Sequence, residues 1–209
     1  MQADLLPLFP LRVVLFPRIP IPLHIFEERY RLMVGEAIRE NSEIGIVLAT
    51  SKGVVNVGCT AVIDRVLERY EDGRLDILAV GQRRFQIHSL DYERDYLRGT
   101  VEYFDDEDPG PIPEGLPEEV MEPYIALREL KGSQRFPAPK TSDPQLSFQL
   151  AFRVGDLEFR QLMLRMKSET DRLKQLAEFL PKYLEKLRGS SEARRTIPLN
   201  GRSRGPQPT

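Results

Sequence analysis

The 209-residue chain has one cysteine, two histidines and no tryptophan. Cys59 has no partner for an internal disulfide, so the fold must rest on packing, and a reducing compartment suits it. His24, His88 and Cys59 are not closely spaced, so no metal centre and no metal cofactor is expected. The phosphate-cradling GxxxxGK[ST] loop, the GxSxG elbow and the HExxH pair are all missing. No apolar run approaches the roughly 20 residues that span a bilayer. The N-terminus, with Asp4 and a proline-interrupted apolar stretch, does not read as a secretion signal. Thirty basic residues against 32 acidic ones leave a formal charge of −2, too little field to recruit nucleic acid. What remains is 41% hydrophobic and 30% charged, the composition of a globular protein expected in the cytoplasm. The length fits one large domain or two small ones.

Composition divides the chain into residues 1–104, rich in β-branched and aromatic residues, an acidic proline-rich connector over 105–117, a helical zone over 118–188, and a polar tail over 189–209, expected to be disordered. In the first zone, prolines at 7, 10, 17, 20 and 22 predict edge strands or extended connections, because proline cannot donate to a ladder. Phe26, Tyr30, Met33 and Ala37 recur at helical spacing and predict an amphipathic helix. Short extended runs follow, punctuated by Ser51-Lys52-Gly53 and Glu71-Asp72-Gly73, with Gly81 marking a bulge or bend. From Glu43 onward the intervals are too short for helical crossovers, so antiparallel pairing in a partly closed barrel or sandwich is expected. In the helical zone, Phe159, Leu162, Met163 and Met166 form one stripe and Leu173, Leu176, Leu180, Leu184 and Leu187 another. Pro181 predicts a kink or a break, and Ser168 with Asp171 resembles a capping box. The fold class is α+β.

Enzymatic constellations are scarce. A Cys59–His pair would have to be assembled by the fold, and a buried thiol in a strand is the simpler reading. The acidic run from Asp105 reads as a solvated loop. Arg83-Arg84-Phe85 pairs charge with an aromatic ring, as RNA-binding sheets do, but two arginines supply only a weak, salt-sensitive attraction.

The ordered run PLFPLRVVLFPRIPIPLHIFEERYRLMV (7–34), IGIVLAT (44–50), VGCTAVIDRV (57–66) and DGRLDILAVGQRRFQI (72–87) resembles the N-terminal domain of the Lon protease family. The helical stretch QLAFRV with FRQLMLRMKSETDRLKQLAEFL is similar to the helices of the same domain. One departure is Arg18, where the family often has glycine. The ATPase and Ser-Lys peptidase modules of the full-length protease are absent from this chain, so the resemblance implies no catalytic residue. It implies a PUA-like β pseudo-barrel with one helix, followed by a helical bundle. It also implies recognition of unfolded or extended polypeptide, with a separate ATPase or protease as a further partner. An apolar groove between the β zone and the helices is the expected surface. Phe16, Pro17, Arg18, Ile19, His24, Tyr30, Arg84 and Phe85 are its candidate lining. PUA-like barrels as a class also serve RNA, and an RNA-binding module is the alternative reading.

Overall fold

The computed structural model describes residues 5–107, 110–132 and 138–196, with the side chains of 190–196 excepted. Six strands come first: β1 (Leu6–Leu11), β2 (Pro20–Ile25), β3 (Ile44–Thr50), β4 (Gly53–Arg69), β5 (Leu75–Asp91) and β6 (Arg98–Phe104). Helix α1 (Glu28–Glu40) falls between β2 and β3. Helices α2 (Leu116–Leu130), α3 (Leu146–Ala151), α4 (Leu157–Arg165) and α5 (Glu169–Thr196) follow.

The strands run β2-β5-β4-β3-β1-β6, and β6 returns to pair with β5, closing a barrel. Closure is possible because the 17-residue β5 is long enough for two partners on one side. Its first half, from Leu75 to Val80, pairs with β2, and its second half, from Arg84 to Asp91, pairs with β6. Pairing is antiparallel except between β1 and β3, which run parallel with α1 as part of the crossover. The antiparallel expectation therefore holds from β3 onward, and the one exception is the β1–β3 pair. The prolines behave in two ways. Pro20 and Pro22 lie on β2 at the rim of the sheet, as edge prolines should. Pro7 and Pro10 lie on β1, between two neighbours. There β6 engages Leu6 and Pro7 while β3 engages Leu8 to Leu11, so each side is paired over only part of the strand.

The barrel interior is small and full. Leu6, Leu8, Val47 and Phe85 form a cluster there, and three glycines make room for it. A Cβ on Gly45 would lie 2.8 Å from Leu6, Leu8 and Phe85; one on Gly58 would lie 2.6 Å from Phe85; and one on Gly99 would lie 3.1 Å from Leu8. The outer face carries the larger core, in which Phe9, Ile46, Ile77 and Ala79 pack with Tyr30, Met33, Val34 and Ala37 of α1. Phe26, expected on that face, precedes the helix and is 61% exposed. The same core continues through Val120, Tyr124, Leu127, Phe148 and Met163 to Leu173, Leu176, Leu180 and Leu184. Of the first helical stripe, Leu162 instead faces solvent.

Local signals set the ends of several elements. Gly53, Gly73 and Gly132 have positive φ at the β3–β4 turn, the β4–β5 turn and the end of α2. Asp156 caps α4 by accepting from the Phe159 amide at 2.9 Å, and Ser168 accepts from Asp171 at 3.2 Å. Helix α5 runs through Pro181 as one element of 28 residues. It extends to Thr196, into the segment expected to be a disordered tail; residues 197–209 lie outside the described part. No helix among the described residues is long and apolar enough to cross a membrane.

Candidate functional site

The barrel and the helices meet around the turn that joins β1 to β2. Phe16 is fully buried there and stacks on Phe148 of α3, with ring centroids 5.2 Å apart. The turn is held to β5 at Gly81, whose carbonyl accepts from Arg18 at 2.8 Å and whose amide donates to Ile19 at 3.0 Å. A Cβ at Gly81 would lie 2.1 Å from the Phe16 carbonyl oxygen, so this approach requires glycine. Arg18 takes a left-handed conformation, φ 63°, which most side chains avoid. Its guanidinium reaches across the junction and donates to both carboxylate oxygens of Asp143, at 2.9 and 3.3 Å.

Behind that pair lies a charged core. Arg172, on α5, has no exposed surface. It donates to Asp106 at 2.7 and 2.6 Å, to Glu169 at 2.7 Å, to the Ser147 hydroxyl at 2.8 Å and to the Met166 carbonyl at 2.9 Å. Arg84, on β5 and 4% exposed, donates to Asp106 at 2.7 Å and to the Met166 carbonyl at 2.5 Å. Two arginines and two carboxylates thus balance. The arginines also neutralise the negative end of α4, while Glu169 accepts from the Ser147 amide at 2.8 Å and satisfies an unpaired donor of α3. Burial raises the Asp106 pKa, but hydrogen bonds and charge from Arg172 and Arg84 outweigh it and hold the carboxyl below its ordinary value. Asp106 is therefore a structural anchor, not part of a merely solvated loop.

Between these groups and the Arg18–Asp143 pair opens a cleft of about 490 Å³, lined by Pro17, Arg18, Gln82, Arg84, Asp105, Asp106, Pro144 and Gln145. Its size falls in the roughly 300–1,000 Å³ range of ligand sites. The lining is amide, charged and proline, whereas the sequence led us to expect an apolar groove. The apolar side chains of the turn bury instead: Phe16 stacks under the helices and Ile19 is 8% exposed.

Of the eight candidate residues, Pro17, Arg18 and Arg84 come together at the cleft. Phe16 and Ile19 support its floor from the core, Phe85 fills the barrel and Tyr30 packs on Phe9. His24 lies on β2, where it bonds Asp76 at 2.5 Å and stacks near the exposed Phe26. Sequence reasoning missed Gln82, Asp105, Asp106, Pro144 and Gln145. Only the prolines and the acidic run carried any signal, and nothing in the sequence tied them to a turn near residue 18.

The arginine pair proposed for RNA contact is otherwise engaged: Arg83 pairs with Glu43 at 3.0 Å and lies over Tyr103, and Arg84 is buried. No bond joins Cys59, His24 and His88; Cys59 is buried, its thiol pushed up to about 12 by burial, and His88 faces Glu102 at 3.1 Å. Among the described residues no group of three or more His, Cys, Asp or Glu side chains is placed to hold a metal.

Comparison with known proteins agrees with this architecture. Residues 5–182 match the ATP-dependent protease La (LON) substrate-binding domain. A Lon protease of Parabacteroides distasonis is 31% identical over 116 residues, which are 51% of this chain and 14% of that protein. Lon protease 2 of Syntrophobacter fumaroxidans is 25% identical over 203 residues, 86% of this chain and 25% of that protein. The chain thus spans a quarter or less of the length of these curated relatives. Among solved structures, a Lon N-terminal domain protein from Xanthomonas campestris has a TM-score of 0.64 at 23% identity, covering 84% of this chain and 98% of that one. The N-terminal domain of the Mycobacterium avium complex Lon protease has the same TM-score at 18% identity, covering 85% and 98%. The barrel, the crossing helices and a family match over nearly the whole described chain place this protein in the Lon substrate-binding domain family.

Proposed function

We propose that the protein is a non-catalytic polypeptide-recognition module, acting in the cytoplasm, that takes extended segments into the cleft between the barrel and the helices. The observation that carries this reading is the cleft itself, walled by Pro17 and Pro144, faced by two side-chain amides, and backed by the charged core that fixes its shape. An extended chain exposes one backbone donor and one acceptor at most residues, and a polar groove between rigid walls can pair with them. With no catalytic group assigned, any role in regulated proteolysis runs through a separate ATPase or protease, to which the module delivers what it holds.

The test is a titration of the purified protein with a fluorescent, permanently unfolded polypeptide, with single-stranded RNA as the control, at two salt concentrations. Saturable polypeptide binding that survives salt, weakened at least fivefold by Gln82→Trp across the cleft, is the expected result. Binding that ignores Gln82→Trp would move the site elsewhere on the surface. Binding of RNA alone, falling steeply with salt, would replace this reading with the alternative.

A further inference from the structure

Resting on that reading, we propose that the cleft selects polypeptide segments carrying a basic side chain, with Asp105 as the residue that chooses them. The argument comes from matching each polar group of the cleft to its partner. The two terminal guanidinium nitrogens of Arg18 bond Asp143, and the two of Arg84 are taken by Asp106 and by carbonyls of α4 and its C-cap. Asp106 accepts on both oxygens from Arg172 as well as from Arg84. The Gln82 amide donates to the Val80 carbonyl at 3.2 Å. The donors of the lining are thus largely spoken for.

Two acceptors are not. The side-chain oxygen of Gln145 is buried and has no hydrogen-bond partner. The Asp105 side chain is exposed at the cleft and makes no ion pair or hydrogen bond with any described residue. Arg18 is matched by Asp143, and Arg84 and Arg172 by Asp106 and Glu169, so Asp105, which acts on Arg83 and Arg84 only through space, has no ion pair of its own among the described residues. A ligand that satisfies this cleft therefore brings N–H donors and positive charge. A backbone amide onto Gln145 and a lysine ammonium or arginine guanidinium onto Asp105 meet both requirements in one extended segment. An acidic segment meets neither and is repelled by the exposed Asp105 carboxylate.

The experiment uses three labelled, unstructured peptides of equal length that differ only in central Lys, Gln or Glu residues, titrated by fluorescence anisotropy. An exposed ion pair is worth up to about 1 kcal/mol, so the Lys peptide should bind about two- to fivefold tighter than the Gln peptide. The Glu peptide should bind more weakly than the Gln peptide, and 0.5 M salt should compress the series. Asp105→Asn should erase the Lys preference, bringing the Lys and Gln peptides to the same affinity. Gln145→Met should weaken all three peptides alike, the signature of a backbone contact. Equal binding of the Lys and Gln peptides, or a preference that survives Asp105→Asn, overturns the selectivity while polypeptide recognition stands. No binding of any peptide overturns both.

Discussion

Replacing Asp106 by asparagine tests whether the charged core holds the helices to the barrel. The change keeps size and hydrogen-bonding shape but removes the carboxylate that Arg84 and Arg172 share. Two buried guanidiniums are then left with Glu169 alone. Breaking a buried pair from one side costs about 3–5 kcal/mol. The Asp106 side chain keeps 28% of its exposure, which favours the lower end, about 3 kcal/mol. For a chain of this length that loss corresponds to a Tm lower by roughly 6–12 °C. The pH dependence supplies a sharper signature. The folded-state pKa of Asp106 is lowered, because the bonds and charges of the two arginines outweigh burial. Its contribution is therefore full above the unfolded value of about 3.9 and is lost as pH falls through the lower folded value. Urea unfolding of wild type and Asp106→Asn between pH 7 and pH 3 should show a gap that is constant above about pH 4 and narrows below it. The exposed neighbour Asp105→Asn serves as the control and should change stability by less than about 0.5 kcal/mol. A gap under about 1 kcal/mol at pH 7, or one that stays constant down to pH 3, would refute the assignment of Asp106 as the shared counter-ion.

Further measurements address the packing and the turn. Gly35→Ala, in open space within α1, should stabilise by about 0.5–1 kcal/mol, whereas Gly58→Ala, which drives a Cβ to 2.6 Å from Phe85 and the Ile46 carbonyl, should cost about 1–3 kcal/mol in the same urea assay. Arg18→Gly relieves the left-handed backbone but loses the Asp143 pair, so its stability should stay within about 1 kcal/mol of wild type, while Arg18→Ala loses the pair without the relief and should be the less stable of the two. With its thiol buried and pushed up to about 12, Cys59 should resist a disulfide reagent at pH 8 and react only at the rate of unfolding, read by thiol release with increasing denaturant.

Local signals made the elements legible and left the assembly obscure. Glycines in two β turns, the extended apolar runs of β3 to β5, the α5 stripe and the α1 stripe apart from Phe26 are short-range patterns, and the structure follows them. The β1–β3 pairing was hidden because a proline-rich strand does not advertise neighbours on both sides; it needs β6 to take one end and β3 the other. The closure by β6 depends on the length of β5, which the break at Gly81 disguised as a simple bend. Arg84, Asp106 and Arg172 are far apart in the chain, and nothing in their spacing sets them apart from surface charge. Asp106 illustrates the difficulty: set in an acidic run, it reads as one solvated carboxylate among several. The cleft was legible only at Pro17 and Arg18 of the LFPRIP segment and at Arg84.

The way the ring of strands closes also orders events in time. Leu6 pairs with Gly99, far later in the chain, so β1 cannot be secured on both sides until β6 has emerged. Long-range closure of this kind is slow, on the order of milliseconds to seconds, because the loop entropy is spent before the contact returns anything. Until then the Leu6–Pro7 end of β1 and the second half of β5 lack their β6 partner, and the nascent chain exposes strand edges that are suited to pairing with other chains. Losing the first eleven residues would therefore open the ring rather than shorten it. Strand β1 is a closing piece, made before β6 and fitted after it.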